Sequence, residues 1–265
     1  MRTDHTDHNG SNGHYATRTV ATLRNGNHQS SDACDGCGPR QKGFFCNLPP
    51  EAFAVLQSIR VSHAYQRGST LFMEGQPANG VFLLCEGHVK LSTYSEDGKA
   101  IILRISEPGE ILGVSAVISG KPHEATGQVT EYCRVSFIKR SDFLSFIQTN
   151  HEAALNALRQ LSSNYHKAHT QICSLGLSSS AGDKLAKLLL QWCDVNLEDG
   201  SGQIVIPLVH THGEIAEMIG TSRETVTRLL KDFKSRSLLS VSRNELCIPD
   251  KRALKASIGT RHRTA

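Results

Sequence analysis

Residues 211–241, THGEIAEMIGTSRETVTRLLKDFKSRSLLSV, contain the pattern that decides the fold of the C-terminal part of this 265-residue chain. Thr211 followed three residues later by Glu214 is a capping box, which is typical of a helix N-terminus. Gly220 predicts the end of that helix, because glycine readily adopts the left-handed conformation of a C-cap. Thr221 and Ser222 can cap a second helix directly afterwards. Two short helices joined by a tight glycine turn predict a helix-turn-helix.

The second of these helices has two chemically distinct faces. Its apolar positions, at helical spacing, are Val226, Leu229, Leu230 and Phe233. Its opposite face carries Arg223, Glu224, Thr227, Arg228 and Lys231. Arginine forms paired hydrogen bonds with guanine, and glutamate accepts one from the amino group of cytosine. A charged face can also be simply solvated, but this one coincides with the caps and turn of a helix-turn-helix. The predicted base-contacting residues are therefore Arg223, Glu224, Thr227 and Arg228.

The residues that follow predict a hairpin beside this helix. LLSVSRNELCI, residues 238–248, has the pattern of a short β-hairpin and would form the wing of a winged helix-turn-helix. Contacts with DNA phosphates are expected from Ser222, Lys231 and Arg243. Such contacts are independent of base sequence and weaken with salt.

Upstream, residues 143–176 predict a long helix with an apolar seam. The seam alternates spacings of three and four residues, as in a coiled coil. Its members are Leu158, Leu161, Tyr165, Ala168, Ile172 and Leu175. A seam of this length predicts a homodimer interface. The alternative is that the helix packs on the domain that precedes it.

Residues 61–140 consist of short apolar or alternating runs separated by glycine-containing turns. The runs predicted to form strands are STLFM, GVFLLC, HVKLSTY, AIILRIS, EILGVSAV, GQVT and CRVSFI. Many short strands punctuated in this way favour an antiparallel sandwich or barrel. Together with the helices on either side, they predict an α+β fold.

Composition limits the remaining interpretations. Residues 1–32 are rich in Asn, Gly, Ser, Thr and His, so we expect a disordered tail. The net charge is only +4, so a nucleic-acid site must be a local basic patch. No apolar run approaches the about 18 residues of a membrane span, and the N-terminus lacks the apolar core of a signal peptide. We therefore expect no membrane partner and a cytoplasmic protein, whose eight cysteines stay mostly reduced.

The order of these parts resembles the CRP/FNR superfamily of bacterial transcription regulators. The matching stretches are RGSTLFMEGQPANGVFLLCEGHVKL (67–91), PGEILG (108–113) and GTSRETVTRLLKDF (220–233). The resemblance implies a jelly roll of the cyclic-nucleotide-binding type at 48–142, a dimerisation helix at 143–176 and a winged helix-turn-helix at 182–258. It also implies double-stranded DNA and RNA polymerase as partners.

The resemblance further implies a class of DNA site. In CRP-like members, the positions that Arg223, Glu224 and Arg228 occupy here read a TGTGA-type half-site. FNR-type members usually have another residue at the first of these positions and read a TTGAT-like half-site. A palindrome of TGTGA-like half-sites is therefore expected.

The jelly roll is expected not to bind a cyclic nucleotide. CRP-like members hold the ribose with the glutamate of a Gly-Glu pair and the phosphate with an Arg-Ser pair. The matching run GVSAVISGKPHEATG (113–127) has Val114 in place of that glutamate and His123-Glu124 in place of Arg-Ser. The Glu124 carboxylate would repel a cyclic phosphate. A small effector within the barrel remains the alternative source of regulation.

FNR-type members instead sense oxygen through an iron–sulfur cluster held by three N-terminal cysteines and one in the barrel. The resemblance implies the corresponding roles, as ligands of a [4Fe-4S] cluster, for Cys34, Cys37 and Cys46 in the loop 33–47 and for Cys133. The eight residues between Cys37 and Cys46 exceed the FNR-type spacing. Three interpretations of the loop stay open: a cluster, a zinc or thiol–disulfide arrangement, or no cofactor. Cys133 also fits an ordinary core position.

Two classes of enzyme are the alternatives to a transcription regulator. An enzyme's regulatory subunit with the same barrel would lack the helix-turn-helix at 211–241. A redox enzyme is favoured only by the cysteines, and the sequence contains no nucleophile–base pair or dinucleotide-binding loop. The chain is therefore predicted not to be an enzyme.

Overall fold

The computed structural model describes most of the chain after the cysteine loop. The described residues are Gly43, Phe45, 48–195, 203–208, 210–242 and 245–259. The predicted tail 1–32 and three of the predicted functional cysteines, Cys34, Cys37 and Cys46, lie outside them, as does Arg243. What the sequence predicts for these residues stays a prediction.

The first domain is an antiparallel jelly roll. Its elements are α1 (Pro50–Ile59), β1 (Arg60–Tyr65), β2 (Thr70–Phe72), β3 (Gly80–Glu86), β4 (Val89–Tyr94), β5 (Ala100–Ser106), β6 (Ile111–Leu112), α2 (Val114–Ser119), β7 (Thr126–Val129) and β8 (Cys133–Lys139). One sheet has the strand order β1-β8-β3-β6 and the other β2-β7-β4-β5. All of these pairs are antiparallel. The predicted α+β fold class is confirmed.

One predicted strand is wrong. The run EILGVSAV was expected to continue as a strand, but β6 ends at Leu112 and α2 begins at Val114. Gly113 lies between them with φ of 82°, a left-handed conformation that turns the chain out of the sheet. The apolar residues Val114, Ala116 and Val117 are buried in a helix instead. A short apolar run does not by itself distinguish a buried strand from a buried helix.

The predicted helix at 143–176 is two helices. α3 (Arg140–Thr149) ends at Asn150, whose backbone is extended, and α4 (His151–Leu177) follows. One side of α4 packs on the jelly roll, where Gln160 is fully buried. Its side-chain amide donates to the carbonyl oxygen of Ile111 and accepts from the backbone N–H of Ile111 at 2.9 Å. The alternative interpretation of the helix therefore holds for this side of α4.

The C-terminal domain is a winged helix-turn-helix. Its elements are α5 (Ala181–Val195), β9 (Ile204–Pro207), α6 (His212–Ile219), α7 (Arg223–Ser235), β10 (Ser240–Ser242), β11 (Glu245–Ile248) and α8 (Lys251–Ala256). The strands form a small sheet in the order β10-β11-β9. Residues from α5, α6, α7 and the sheet share one apolar core, which includes Leu189, Ile215, Phe233 and Leu246. Among the described residues, no helix has both the length and the apolar character that a membrane crossing requires.

Candidate nucleic-acid interface

The first helix of the motif begins and ends as its sequence predicts. The hydroxyl of Thr211 accepts a hydrogen bond from the backbone N–H of Glu214 at 3.2 Å. The Glu214 carboxylate accepts one in return from the backbone N–H of Thr211 at 2.8 Å. Gly220 ends α6 with φ of 63°, and its N–H donates to the carbonyl of Ala216. These contacts satisfy backbone groups that the ends of a helix leave unpaired, so they fix both ends of α6. Since α7 follows directly after the Gly220 turn, they also fix where α7 starts.

The second helix, α7, is capped and strongly two-faced. The Ser222 hydroxyl accepts from the backbone N–H of Thr225 at 3.2 Å, so Ser222 is the N-cap. Val226, Leu230 and Phe233 are buried in the domain core, and Leu229 packs against it. The opposite residues share one shallow, open concavity, which we call the polar face of α7: Arg223, Glu224, Thr227, Arg228 and Lys231.

The polar face offers both donors and an acceptor. Arg223, Arg228 and Lys231 are exposed cations, and Glu224 is exposed beside them. The pKa of the Glu224 carboxyl is lowered by its own backbone N–H, by the Ser222 hydroxyl and by the Arg223 guanidinium. Glu224 therefore stays ionised near neutral pH and can only accept hydrogen bonds. The structure brings together all four predicted base-contacting residues and two of the three predicted phosphate contacts, Ser222 and Lys231.

Two contacts around this face have no signal in the sequence pattern. The Nδ1 atom of His212, the first residue of α6, lies 2.9 Å from the Thr227 hydroxyl on α7. On its other side, α6 packs against β5 of the jelly roll, and Lys90 Nζ on β4 lies 3.8 Å from the Glu217 carboxylate. Both pairs join residues far apart in sequence, so periodicity and capping rules do not reveal them. The first contact joins α6 to α7, and the second joins α6 to the jelly roll.

Comparison with known proteins agrees with this architecture. Residues 62–150 match the family described as "Cyclic nucleotide-binding domain", and residues 183–257 match the "Crp-like helix-turn-helix domain". The global nitrogen regulator of Synechococcus elongatus is 30% identical over 187 residues, which is 69% of this chain and 83% of that protein. The chain belongs to the CRP/FNR family of transcription regulators.

Two further CRP/FNR relatives extend the comparison. The CRP-like cAMP-activated global transcriptional regulator of Mycobacterium tuberculosis is 26% identical over 212 residues, 80% of this chain and 94% of that protein. Among solved structures, a CooA mutant from Carboxydothermus hydrogenoformans has a TM-score of 0.66 and 27% sequence identity. That match covers 75% of this chain and 88% of that one. Like its relatives, the chain is a DNA-binding transcription regulator.

Within this CRP/FNR regulator, an aromatic stack lies beside the segment that resembles a phosphate-binding cassette. The His123 ring is only 5% exposed and stacks on Phe72 at 4.2 Å between ring centres. Phe72 stacks in turn on Phe82. Burial lowers the pKa of His123, so its ring is neutral near pH 7. Val114, near the start of this segment, is buried and supplies no charge. The stack thus offers a cyclic phosphate only apolar rings and an uncharged imidazole, and the cation of this segment, Lys121, is exposed.

Cys133 occupies a core position in the jelly roll, and its role as a cluster ligand stays a prediction. Its side chain is fully buried in the core of the jelly roll, packed with Leu84 and Val135. Its thiol donates a hydrogen bond to the carbonyl of His88 at 3.3 Å. Burial is the main cause that raises the pKa of the free Cys133 thiol. Within the described part of the chain, no three His, Cys, Asp or Glu residues are grouped to hold a metal.

The predicted seam of α4 divides between two environments. Leu158, Tyr165 and Ile172 are 61%, 72% and 69% exposed. They recur every seven residues and form one stripe, with Ala168 also exposed. Leu161 packs against the core of the jelly roll. Leu175 lies beside the α6–α7 turn, where its Cδ2 atom is 3.6 Å from the point that a Cβ would occupy if one were added to Gly220. The role of these six residues in a dimer stays a prediction.

Proposed function

We propose that this CRP/FNR regulator binds, as a homodimer, a palindromic DNA site with TGTGA-like half-sites. The observation that carries the proposal is the polar face of α7. It exposes Arg223, Glu224 and Arg228, while the opposite side of the helix is buried in the domain core. Each α7 would enter a major groove, with its N-terminal residues nearest the bases. Such a regulator acts where the DNA lies, in the cytoplasm, and contact with RNA polymerase is its proposed output.

The chemistry of the three residues supports the half-site. An arginine pairs best with guanine, which presents two acceptors in the major groove. The ionised Glu224 accepts from the amino group of cytosine. A TGTGA half-site and its complement contain both kinds of base. In a two-fold dimer the two α7 helices would meet successive major grooves, about 34 Å apart.

The proposal is tested by binding to three DNA duplexes of equal length. One contains a TGTGA palindrome, one a TTGAT palindrome and one a scrambled sequence. We expect the TGTGA duplex to bind at least about 1,000-fold more tightly than the scrambled duplex at physiological salt, as specific sites typically do. Equal binding to all three duplexes would contradict the proposed readout. A preference for TTGAT would retain the regulator and correct the half-site.

We further propose that Cys34, Cys37 and Cys46 receive a redox or metal signal. Three cysteines within thirteen residues support this proposal. The aromatic stack around His123 supports it indirectly, because its rings give a cyclic phosphate no positive charge. The proposal rests on the three loop cysteines, because the Cys133 thiol is packed in the core and hydrogen-bonded to the carbonyl of His88. Three loop thiols without Cys133 can still bind a metal or form a disulfide.

The signal is tested with anaerobically prepared protein. Iron, sulfide and zinc are measured together with DNA affinity before and after oxidation, in wild type, Cys37→Ser and Cys133→Ser. We expect a response in wild type and in Cys133→Ser that is lost in Cys37→Ser. Loss in both variants would restore the four-cysteine arrangement. A response in all three proteins, or in none, would remove the loop from sensing.

A second candidate is regulation by a small effector in the jelly roll. The match to a cyclic nucleotide-binding domain at 62–150 favours it, as does the cAMP-activated relative. In this case cAMP would tighten binding to the palindrome, and Cys37→Ser would respond to cAMP as wild type does. Unchanged DNA affinity at millimolar cAMP would leave the cysteine loop as the source of the signal.

A further inference from the structure

The hydroxyl group of Thr227 is already hydrogen-bonded within the protein. Thr227 lies on the polar face of α7 between Arg223 and Arg228. Its hydroxyl donates to the backbone carbonyl of Arg223, one turn earlier, at 2.9 Å. A threonine hydroxyl has a single proton. The proton of Thr227 is therefore used inside α7 and is not available to a base.

His212 fixes the same hydroxyl from the neighbouring helix. Its Nδ1 atom is 2.9 Å from the Thr227 oxygen. Because the Thr227 proton points to the Arg223 carbonyl, His212 must be the donor, which places a proton on Nδ1. The position of His212 is itself set by the capping box of Thr211 immediately before it. The oxygen of Thr227 is thus held between α6 and α7, and the orientation of its methyl group is held with it.

These contacts limit what Thr227 can recognise in the major groove. Guanine O6 and N7 and thymine O4 are acceptors, and the Thr227 oxygen has no free proton for them. The γ-methyl matches the C5-methyl of thymine, whereas the one lone pair left on the oxygen could be used only by an amino group of adenine or cytosine. We propose that Thr227 is a specificity-determining residue that selects thymine through its methyl group, with His212 as the positioning residue. This inference rests on the proposed function, because it assumes that α7 enters the major groove.

A matched pair of substitutions separates the methyl group from the hydroxyl. Thr227→Val removes the hydroxyl and keeps the methyl in place without His212, because valine has one strongly preferred rotamer in a helix whereas threonine has two. Thr227→Ser keeps the hydroxyl and removes the methyl. The affinity of each protein is measured on palindromes in which every half-site base pair is varied in turn. For wild type and Thr227→Val we expect about a fourfold preference for thymine at one position, the effect of burying one methyl-sized group. For Thr227→Ser we expect that preference to disappear at that position alone.

A second pair tests the positioning role. His212→Asn retains an N–H donor near Nδ1, and His212→Leu does not. We expect His212→Asn to keep the thymine preference and His212→Leu to lose it. Binding of both variants to scrambled DNA should match wild type, although His212→Leu should unfold at a lower temperature because it loses the contact with Thr227. A merely structural role for His212 would change unfolding or overall affinity without changing the preference at one base pair.

The outcomes distinguish this inference from the proposed function. If Thr227→Ser keeps the preference and Thr227→Val loses it, the hydroxyl reads the base and the inference is wrong. A preference for adenine or cytosine at that position would also overturn it, because their amino groups would donate to the remaining lone pair of the oxygen. If wild type selects no palindrome at all, the proposed function fails and this inference fails with it.

Discussion

Arg223 is the residue whose removal should affect base selection most directly. It is exposed at the first position of α7, beside the ionised Glu224. Because a bidentate arginine–guanine contact contributes ~1–3 kcal/mol of discrimination, Arg223→Ala should weaken binding to the TGTGA palindrome by that amount. It should also relax the preference at one base pair. Competitive binding to all single-base variants of the half-site measures both effects.

Lys231 supplies the matched control on the same face of α7. As a phosphate contact, it should contribute equally to every duplex. Lys231→Ala is therefore expected to weaken cognate and scrambled binding alike and to lower the slope of log affinity against log salt by about 1. A uniform loss for Arg223→Ala as well would place its guanidinium on the DNA backbone.

His123 gives the jelly roll a stability that depends on pH. Burial lowers its pKa below the ordinary value of 6.5, so the folded protein resists protonation there while the unfolded chain does not. Below about pH 6.5 the unfolded state therefore binds more protons, and the free energy of unfolding falls as pH falls. That loss should be smaller in His123→Gln. Chemical unfolding of both proteins from about pH 7.5 to about pH 5 measures it, and parallel curves would contradict the assignment.

At the scale of elements, α6 and its C-cap provide two glycines that should respond oppositely to the same change. Gly220 has φ of 63°, so Gly220→Ala places a Cβ in a left-handed conformation and should cost about 1 kcal/mol. The added Cβ would be 3.6 Å from Leu175, an ordinary contact, so the cost lies in the backbone. Gly213 lies within α6, where an added Cβ would be 3.8 Å from the Thr211 hydroxyl, an ordinary contact, so Gly213→Ala should stabilise by up to ~1 kcal/mol. Equal signs in thermal unfolding would contradict the assigned turn.

The elements show which features local sequence rules predict. Thr211, Gly220 and Ser222 define α6 and α7 because a cap depends only on residues within one turn. Gly113 misled the strand prediction, since the buried run around it suits a strand and a helix equally. The contacts His212–Thr227 and Lys90–Glu217 depend on how separate elements pack, which no local pattern encodes. The same holds for Cys133, whose burial follows from the closure of the jelly roll.

At the scale of the whole molecule, α4 is the element that both domains contact. Its Lys167 pairs with Glu110 at 3.3 Å, and its Gln171 donates to the carbonyl of Ile102 at 2.6 Å. One turn further, Leu175 lies beside the Gly220 turn that precedes α7. A displacement of the jelly roll against α4 would therefore reach the start of α7 through packed side chains.

The exposed stripe of α4 gives the last prediction, which concerns assembly. Leu158, Tyr165 and Ile172 are apolar and largely exposed at intervals of seven residues, the arrangement of one side of a coiled-coil seam. In a two-fold dimer, Tyr165→Glu would place two carboxylates in an apolar interface. Burying unpaired charges costs ~3–5 kcal/mol, so the dimer dissociation constant should rise by about 100-fold or more.

Sedimentation equilibrium measures that constant, with Thr170→Glu as the control. Thr170 is also exposed on α4 and lies outside the stripe, so Thr170→Glu adds the same charge away from the seam. Thr170→Glu should remain dimeric and bind the full palindrome as wild type does. Tyr165→Glu should bind a palindrome no more tightly than a single half-site, because its two α7 helices are no longer linked. Equal dissociation constants for the two variants would show that the dimer forms through another surface.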